Sequence, residues 1–168
     1  MKREEYIKNF KGAEKIAEIG VLRGLFSKHL EALNPKELHL IDTWKVWDEE
    51  FFDDYKNYNQ LYWDRMYNNV LSKFSSNDLV KIHRLSSEEA VKNFPDNYFD
   101  LIYIDANHSY SFVKQDIELW LPKIKKGGIL SGHDYDSDGV SQAVNELLDK
   151  NKLTITPTKG IQSWFYKK

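Results

Sequence analysis

Four short apolar runs in this chain each stop on a glycine or a polar residue of the kind that holds ligands. Lys15–Ile19 stops at Gly20, Leu38–Ile41 at Asp42 and Leu101–Ile104 at Asp105, and the run opened by Ile129-Leu130 reaches His133-Asp134. Runs of this length read as buried strands. The stretches between them carry helical spacing: Gly24 through Leu30 and Leu33 up to Asn34-Pro35, then Val113, Ile117, Trp120, Leu121 and Ile124, then Val140, Val144, Leu147 and Leu148. Strands alternating with helices need crossover connections, which predicts a mainly parallel sheet covered on both faces. In such sheets ligands bind at the carboxyl ends of the strands, where Gly20, Asp42, Asp105 and His133-Asp134 fall. The fold expected is α/β, a Rossmann-like three-layer sandwich.

Smaller elements fill in this frame. Leu79–Ile82 reads as a further strand, Ser87 as the cap of a helix reaching Phe94, and Gly127-Gly128 as the stop of the helix through Ile124. Leu153–Thr156 and Gln162–Tyr166 read as two closing strands joined by a turn at 157–160. His39 and His83 fall inside strands as packing residues, and His29 on a polar helix face.

With 168 residues, no repeat and no long linker, one domain over 1–168 is expected. Its connection from Asp42 to Asn77 is far longer than usual. Ten of the 24 aromatic residues lie there, from Trp44 through Trp47, Phe51, Phe52 and Tyr55 to Phe74. Tyr55, Tyr58 and Tyr62, with Trp63, Tyr67 and Val70, match the spacing of a helix packed on the sheet. The segment at 43–75 is therefore read as an aromatic-rich insert or a lid over a ligand, with Trp44, Trp47, Phe51 and Phe52 as the covering residues.

Composition removes several classes of function. The formal net charge of −2 disfavours nucleic acid as a partner. The absence of cysteine excludes disulfides, thiolate zinc sites, iron–sulfur clusters and a cysteine nucleophile. No apolar stretch approaches the roughly 18 residues of a membrane span, and the start lacks the apolar core of a signal peptide. A cytoplasmic protein with no membrane partner is expected, and a homo-oligomer is left open.

Glu18-Ile-Gly20-Val-Leu22-Arg-Gly24 places E-x-G-x-x-x-G between a strand and a helix. It is not the G-x-G-x-x-G of dinucleotide enzymes, because Leu22 stands where a second close-approach glycine belongs. Asp42, 18 residues after Gly24, can accept both hydrogen bonds of a ribose diol. These residues, together with Asp105-Ala-Asn-His108-Ser-Tyr110 and Gly127-Gly-Ile-Leu-Ser-Gly-His133-Asp134-Tyr135, resemble the successive motifs of the class I S-adenosylmethionine-dependent methyltransferases. Within that class they look like the small O-methyltransferase-like group related to macrocin-type sugar methyltransferases. The resemblance covers residues 12–166 and implies a seven-stranded, mainly parallel sheet, order 3-2-1-4-5-7-6, with the last strand antiparallel.

It also implies site roles. Glu18, Gly20 and Gly24 would surround the methionine part of the cofactor, Asp42 its ribose, Ser86 and Ser87 its adenine, and Asp105 its ammonium. Metal-dependent members point to Asp105, His133 and Asp134 as ligands for a divalent ion such as magnesium or manganese. His108, three residues past Asp105, is the candidate general base, with Asp105 beside it in the catalytic pair. Tyr110 and Tyr135 are expected to flank the acceptor cleft. The function so implied is methyl transfer from S-adenosylmethionine to a small-molecule acceptor, through a hydroxyl oxygen. Two alternatives stand beside it: a noncatalytic nucleoside-binding or assembly domain, and another cofactor-dependent reaction on the same fold, as in cephalosporin hydroxylase-like proteins.

Overall fold

The computed structural model describes residues 3–46, 58–156 and 161–168. Seven strands form one sheet: β1 Lys15–Ile19, β2 Glu37–Asp42, β3 Val80–Arg84, β4 Phe99–Ile104, β5 Ile124–Gly132, β6 Leu153–Ile155 and β7 Trp164–Lys167. Six α-helices are described: α1 Arg3–Tyr6, α2 Ser27–Glu31, α3 Gln60–Phe74, α4 Ser87–Ala90, α5 Tyr110–Trp120 and α6 Asp138–Leu147. The strand order is β3-β2-β1-β4-β5-β7-β6. β1 pairs in parallel with β2 and β4, and β7 runs antiparallel to both β5 and β6. This is the order and direction that the family resemblance implies.

Alternation along the strands sends side chains into two cores. Ile16, Leu38, Leu40, Leu101 and Tyr103 meet Leu30, Trp63, Val70 and Phe74 from α2 and α3. Ala17, Ile41, Ile102 and Ile104 meet Ala90, Val113, Ile117, Trp120 and Val144 from α4, α5 and α6. Among the described residues no helix is long and apolar enough to cross a membrane.

Three local expectations are corrected. The helix after Gly24 shortens to α2, because turns occupy the residues ahead of Ser27. Gly127-Gly128 does not end α5; Pro122 follows it in a 3-10 turn, Leu121–Lys123, and both glycines lie within β5. The cap of α4 is Ser86, whose hydroxyl accepts from Glu89 N–H while Glu89 reaches back to Ser86 N–H, a capping box. Trp44, expected among the covering residues, is fully buried against Tyr67, and its indole N–H donates to Leu22 O at 2.9 Å. Trp47, Phe51, Phe52 and Tyr55 lie outside the described residues. From Tyr62 on, the aromatic stretch is the helix expected, α3, with Trp63, Val70 and Phe74 buried; it is capped by Asn59, so Tyr58 precedes it.

Candidate active site

A cavity of about 650 Å³ opens where the sheet order reverses, over the carboxyl ends of β1, β2, β3 and β4. That size falls within the range of small-ligand and cofactor pockets. It runs from Glu18 to Leu22, past Asp42, to Leu85–Glu88, with Asp105–His108 on its other side.

Gly20 makes this crossing possible. Its φ is +88°, and a Cβ there would stand 2.2 Å from the Asp105 carbonyl oxygen. The end of β4 approaches so closely that only hydrogen fits. Gly24, at φ +63°, serves a different contact: its missing Cβ would press on Phe74 of α3 at 3.2 Å, and it does not line the cavity.

Asp42 organises the loop between these glycines. One carboxylate oxygen accepts from Val21 N–H and Leu22 N–H, both at 2.9 Å, and the other from Trp44 N–H at 3.0 Å. Leu22 is thereby held at φ +51°. Asp42 also lines the cavity, and with three acceptor sites taken the one left on its second oxygen can accept from a ligand hydroxyl. Below it Glu18 is buried, with the Ser27 hydroxyl donating to Oε2. Burial pushes its pKa up to about 8, with Asp105 and Asp42 adding to the rise against Ser27 and Arg3, so at neutral pH it is a neutral acid.

At the far end, Ser86 is spent on its capping box. Ser87 Oγ accepts from Trp120 Nε1 at 2.8 Å and donates to Asp116. Asp116, on α5, also lines the cavity and is buried, which pushes its pKa up to about 6. Sequence reasoning missed it, because a single acid beside Val113 and Ile117 looks like the solvent edge of an amphipathic helix. It missed Arg3 as well, whose guanidinium reaches the cavity and donates to Asp105 Oδ2 at 2.6 Å.

Asp105 and His108 line the cavity, and His133 and Asp134 stand beside them without lining it. Asp134 Oδ2 is approached by His108 Nε2 at 3.0 Å and by His133 Nδ1 at 2.8 Å. Asp105 Oδ1 is 3.9 Å from His108 Nε2 and 3.7 Å from His133 Nδ1. Burial works to raise the Asp105 pKa, but His108, Arg3 and His133 outweigh it and hold the carboxyl below its usual range. Asp105 first, and Asp134 with it, raise the His108 pKa against the pull of burial. Asp134 sits at φ +53°, a left-handed conformation that an aspartate tolerates better than most residues.

The metal ligands implied by the sequence were Asp105, His133 and Asp134. Asp105, His108 and Asp134 bring one ligand atom each within 4.8 Å of one another, and His133 Nδ1 lies as near to both carboxylates, so the structure adds His108 to the expected set beside His133. Two carboxylates and an imidazole fit a divalent ion such as manganese in donor type. Tyr110 and Tyr135 leave the cleft: Tyr110 OH donates to Glu146 at 2.5 Å and Tyr135 OH to Asn145 at 3.1 Å, and neither lines the cavity. His39 and His83 pack as expected, their Nδ1 and Nε2 3.0 Å apart.

Known proteins share this chain's family and its fold. A family model described as a methyltransferase domain matches residues 17–135, which span the cavity from β1 to the turn after β5. A Sinorhizobium fredii protein designated y4gI is 28% identical over 106 residues, covering 60% of this chain. The chain spans about a tenth of the length of that curated relative, 10%. A caffeoyl-CoA O-methyltransferase candidate from Staphylococcus aureus shares the fold at a TM-score of 0.67 and 16% identity, over 98% of this chain and 80% of that one. A Streptococcus mutans methyltransferase candidate solved in complex with SAH gives 0.66 at 13% identity, over 100% and 99% of the two chains. Spermidine synthase from Thermotoga maritima gives 0.61 at 14% identity, over 98% of this chain and 57% of that one, so the fold alone does not fix the chemistry. The family match over most of the chain does what fold likeness cannot: this chain belongs to the methyltransferase domain family, the class I S-adenosylmethionine-dependent methyltransferases.

Proposed function

We propose that the chain moves the methyl group of S-adenosylmethionine to a hydroxyl oxygen of a small molecule, with His108 as general base. The observation that carries this reading is His108 at the cavity rim with Nε2 3.0 Å from Asp134 Oδ2. An Nε2–H donated to Asp134 leaves Nδ1 free to accept a proton, and the carboxylate stabilises the imidazolium that results. The side chain of His108 is 47% exposed, enough to meet an acceptor.

The cavity suits the cofactor in size and chemistry. Asp42 receives a ribose hydroxyl, the Gly20–Leu22 loop lies along the chain of the ligand, and neutral Glu18 offers a hydrogen bond without adding charge. When bound, S-adenosylmethionine supplies an electrophilic methyl carbon on a sulfonium sulfur that takes the electron pair as the bond breaks. The chain's own contribution is alignment, exclusion of water by Trp63 and Phe26 at the cavity wall, and uptake of the hydroxyl proton at His108. Were a divalent ion present, Asp105, His108 and Asp134 would hold it, and it would supply acidification of the acceptor hydroxyl. Net charge speaks for a small-molecule acceptor over nucleic acid.

Calorimetry with S-adenosylmethionine and SAH tests the cofactor, and a labelled-methyl assay across hydroxyl, amine and thiol acceptors tests the atom. Binding of both ligands with label on hydroxyl acceptors is the result expected. Binding of neither, or label only on nitrogen or sulfur, would overturn it.

A further inference from the structure

The acid that the sequence hid, Asp116, lines the cavity from α5, where Ser87 at the start of α4 meets it. Three observations define what it offers. It is 5% exposed and lines the cavity, together with Leu85, Ser87 and Phe112. Its Oδ1 accepts from Ser87 Oγ, and among the described residues its Oδ2 has no hydrogen-bond partner, although it is not sealed from the cavity. The direction of the chain of hydrogen bonds is fixed. Trp120 Nε1 can only donate, so Ser87 accepts from it at 2.8 Å and must pass its own hydrogen to Asp116. The carboxyl group is thus held in one orientation, with one oxygen committed and one left over.

A carboxyl oxygen that faces a cavity with no protein donor on it is open to accept from a ligand. The adenosyl reading above says which ligand group arrives there. With ribose on Asp42 at the end of β2 and the methyl near Asp105 at the end of β4, the base extends past β2 toward the end of β3, where α4 and α5 meet. We propose that Asp116, oriented by Ser87, reads the amino edge of adenine, its Oδ2 accepting from the exocyclic N6–H of the bound cofactor. The assignment rests on the adenosyl reading. The acid is a recognition residue and touches no reacting atom.

The test compares SAH with its purine analogue lacking the 6-amino group, by calorimetry on the full chain. A merely structural Asp116 would affect both ligands alike; a reader of the amino group affects the difference between them. The native chain should prefer SAH by about tenfold or more, the worth of one such hydrogen bond. Asp116→Leu should bring the two affinities together, and Asp116→Asn, which keeps an acceptor oxygen, should preserve the preference. Firm SAH binding with no preference over the deamino analogue in the native chain overturns the assignment and leaves the adenosyl reading standing. That measurement needs no variant to fold. Failure of the native chain to bind SAH at all overturns the adenosyl reading and this assignment with it.

Discussion

Arg3 Nη1 donates to Asp105 Oδ2 at 2.6 Å, which ties the first helix to the end of β4 across the mouth of the cavity. The guanidinium also lies 4.5 Å from the ring centre of Phe26, so it is held from two sides. A fixed cation on Asp105 competes with any other cation that the carboxylate could receive. Arg3→Ala should therefore tighten manganese binding, read from water-proton relaxation, by several-fold. Asp134→Asn in the same background should remove the gain, because it weakens the second carboxylate of the set. Equal manganese affinity in native and Arg3→Ala chains would show that the ion, if it binds, does not use Asp105.

Asp42→Ala removes more than a ribose ligand. Its carboxylate holds three backbone N–H groups, from Val21, Leu22 and Trp44. SAH affinity should fall by about 2–4 kcal/mol, and the fold should lose about 1–3 kcal/mol from the unpaired loop donors. Calorimetry and urea unfolding separate the two losses. Unchanged SAH affinity in a chain that has lost stability would leave Asp42 a loop anchor alone.

The sheet was legible because its signals are local: apolar runs of strand length, each closed by glycine or an acid, and helical spacing between them. Asp42 and Asp105 were legible as strand-end acids for the same reason. The capping box was legible too, since Ser86 and Glu89 stand three apart, but Ser87 offers the same kind of start and drew the assignment. Contacts that join distant residues were not. Arg3 meets Asp105 over 102 positions. His108 meets Asp134 only because β4 and β5 pair in register, Ile104 with Gly132. Asp116 is read as surface until α4 packs across it, and burial of a lone acid leaves no periodic trace. Gly20 illustrates the opposite error: its glycine answers to the backbone of Asp105 before it answers to any ligand.

His108→Ala should lower methyl transfer by about 10²–10⁴-fold, the usual worth of a positioned general base, while SAH affinity stays within about twofold. Asp134→Asn should lower the rate by less, since it misorients the imidazole and does not remove it. A rate unchanged in His108→Ala would move proton uptake to solvent.

Glu18 links the floor of the cavity to pH. Burial holds its carboxyl at about 8 in the folded chain, against about 4.3 in an unfolded one. Between these values the folded state keeps a proton that the unfolded state has released, so stability falls as pH rises. Below about pH 4 both states are protonated and the effect vanishes; above about pH 8 both are ionised and the whole penalty is in place. The fall approaches about 1.4 kcal/mol for each pH unit in the window. Glu18→Gln keeps an oxygen for the Ser27 hydroxyl and cannot ionise. Urea unfolding at pH 5, 6, 7 and 8 should show native stability dropping relative to Glu18→Gln. Asp116, raised to about 6, slopes the same way at lower pH in both chains, so the difference between chains, not either slope, is the measure. Parallel slopes would mean that Glu18 is ionised in the folded chain, with the Ser27 hydroxyl and the charge of Arg3 stabilising its carboxylate against burial.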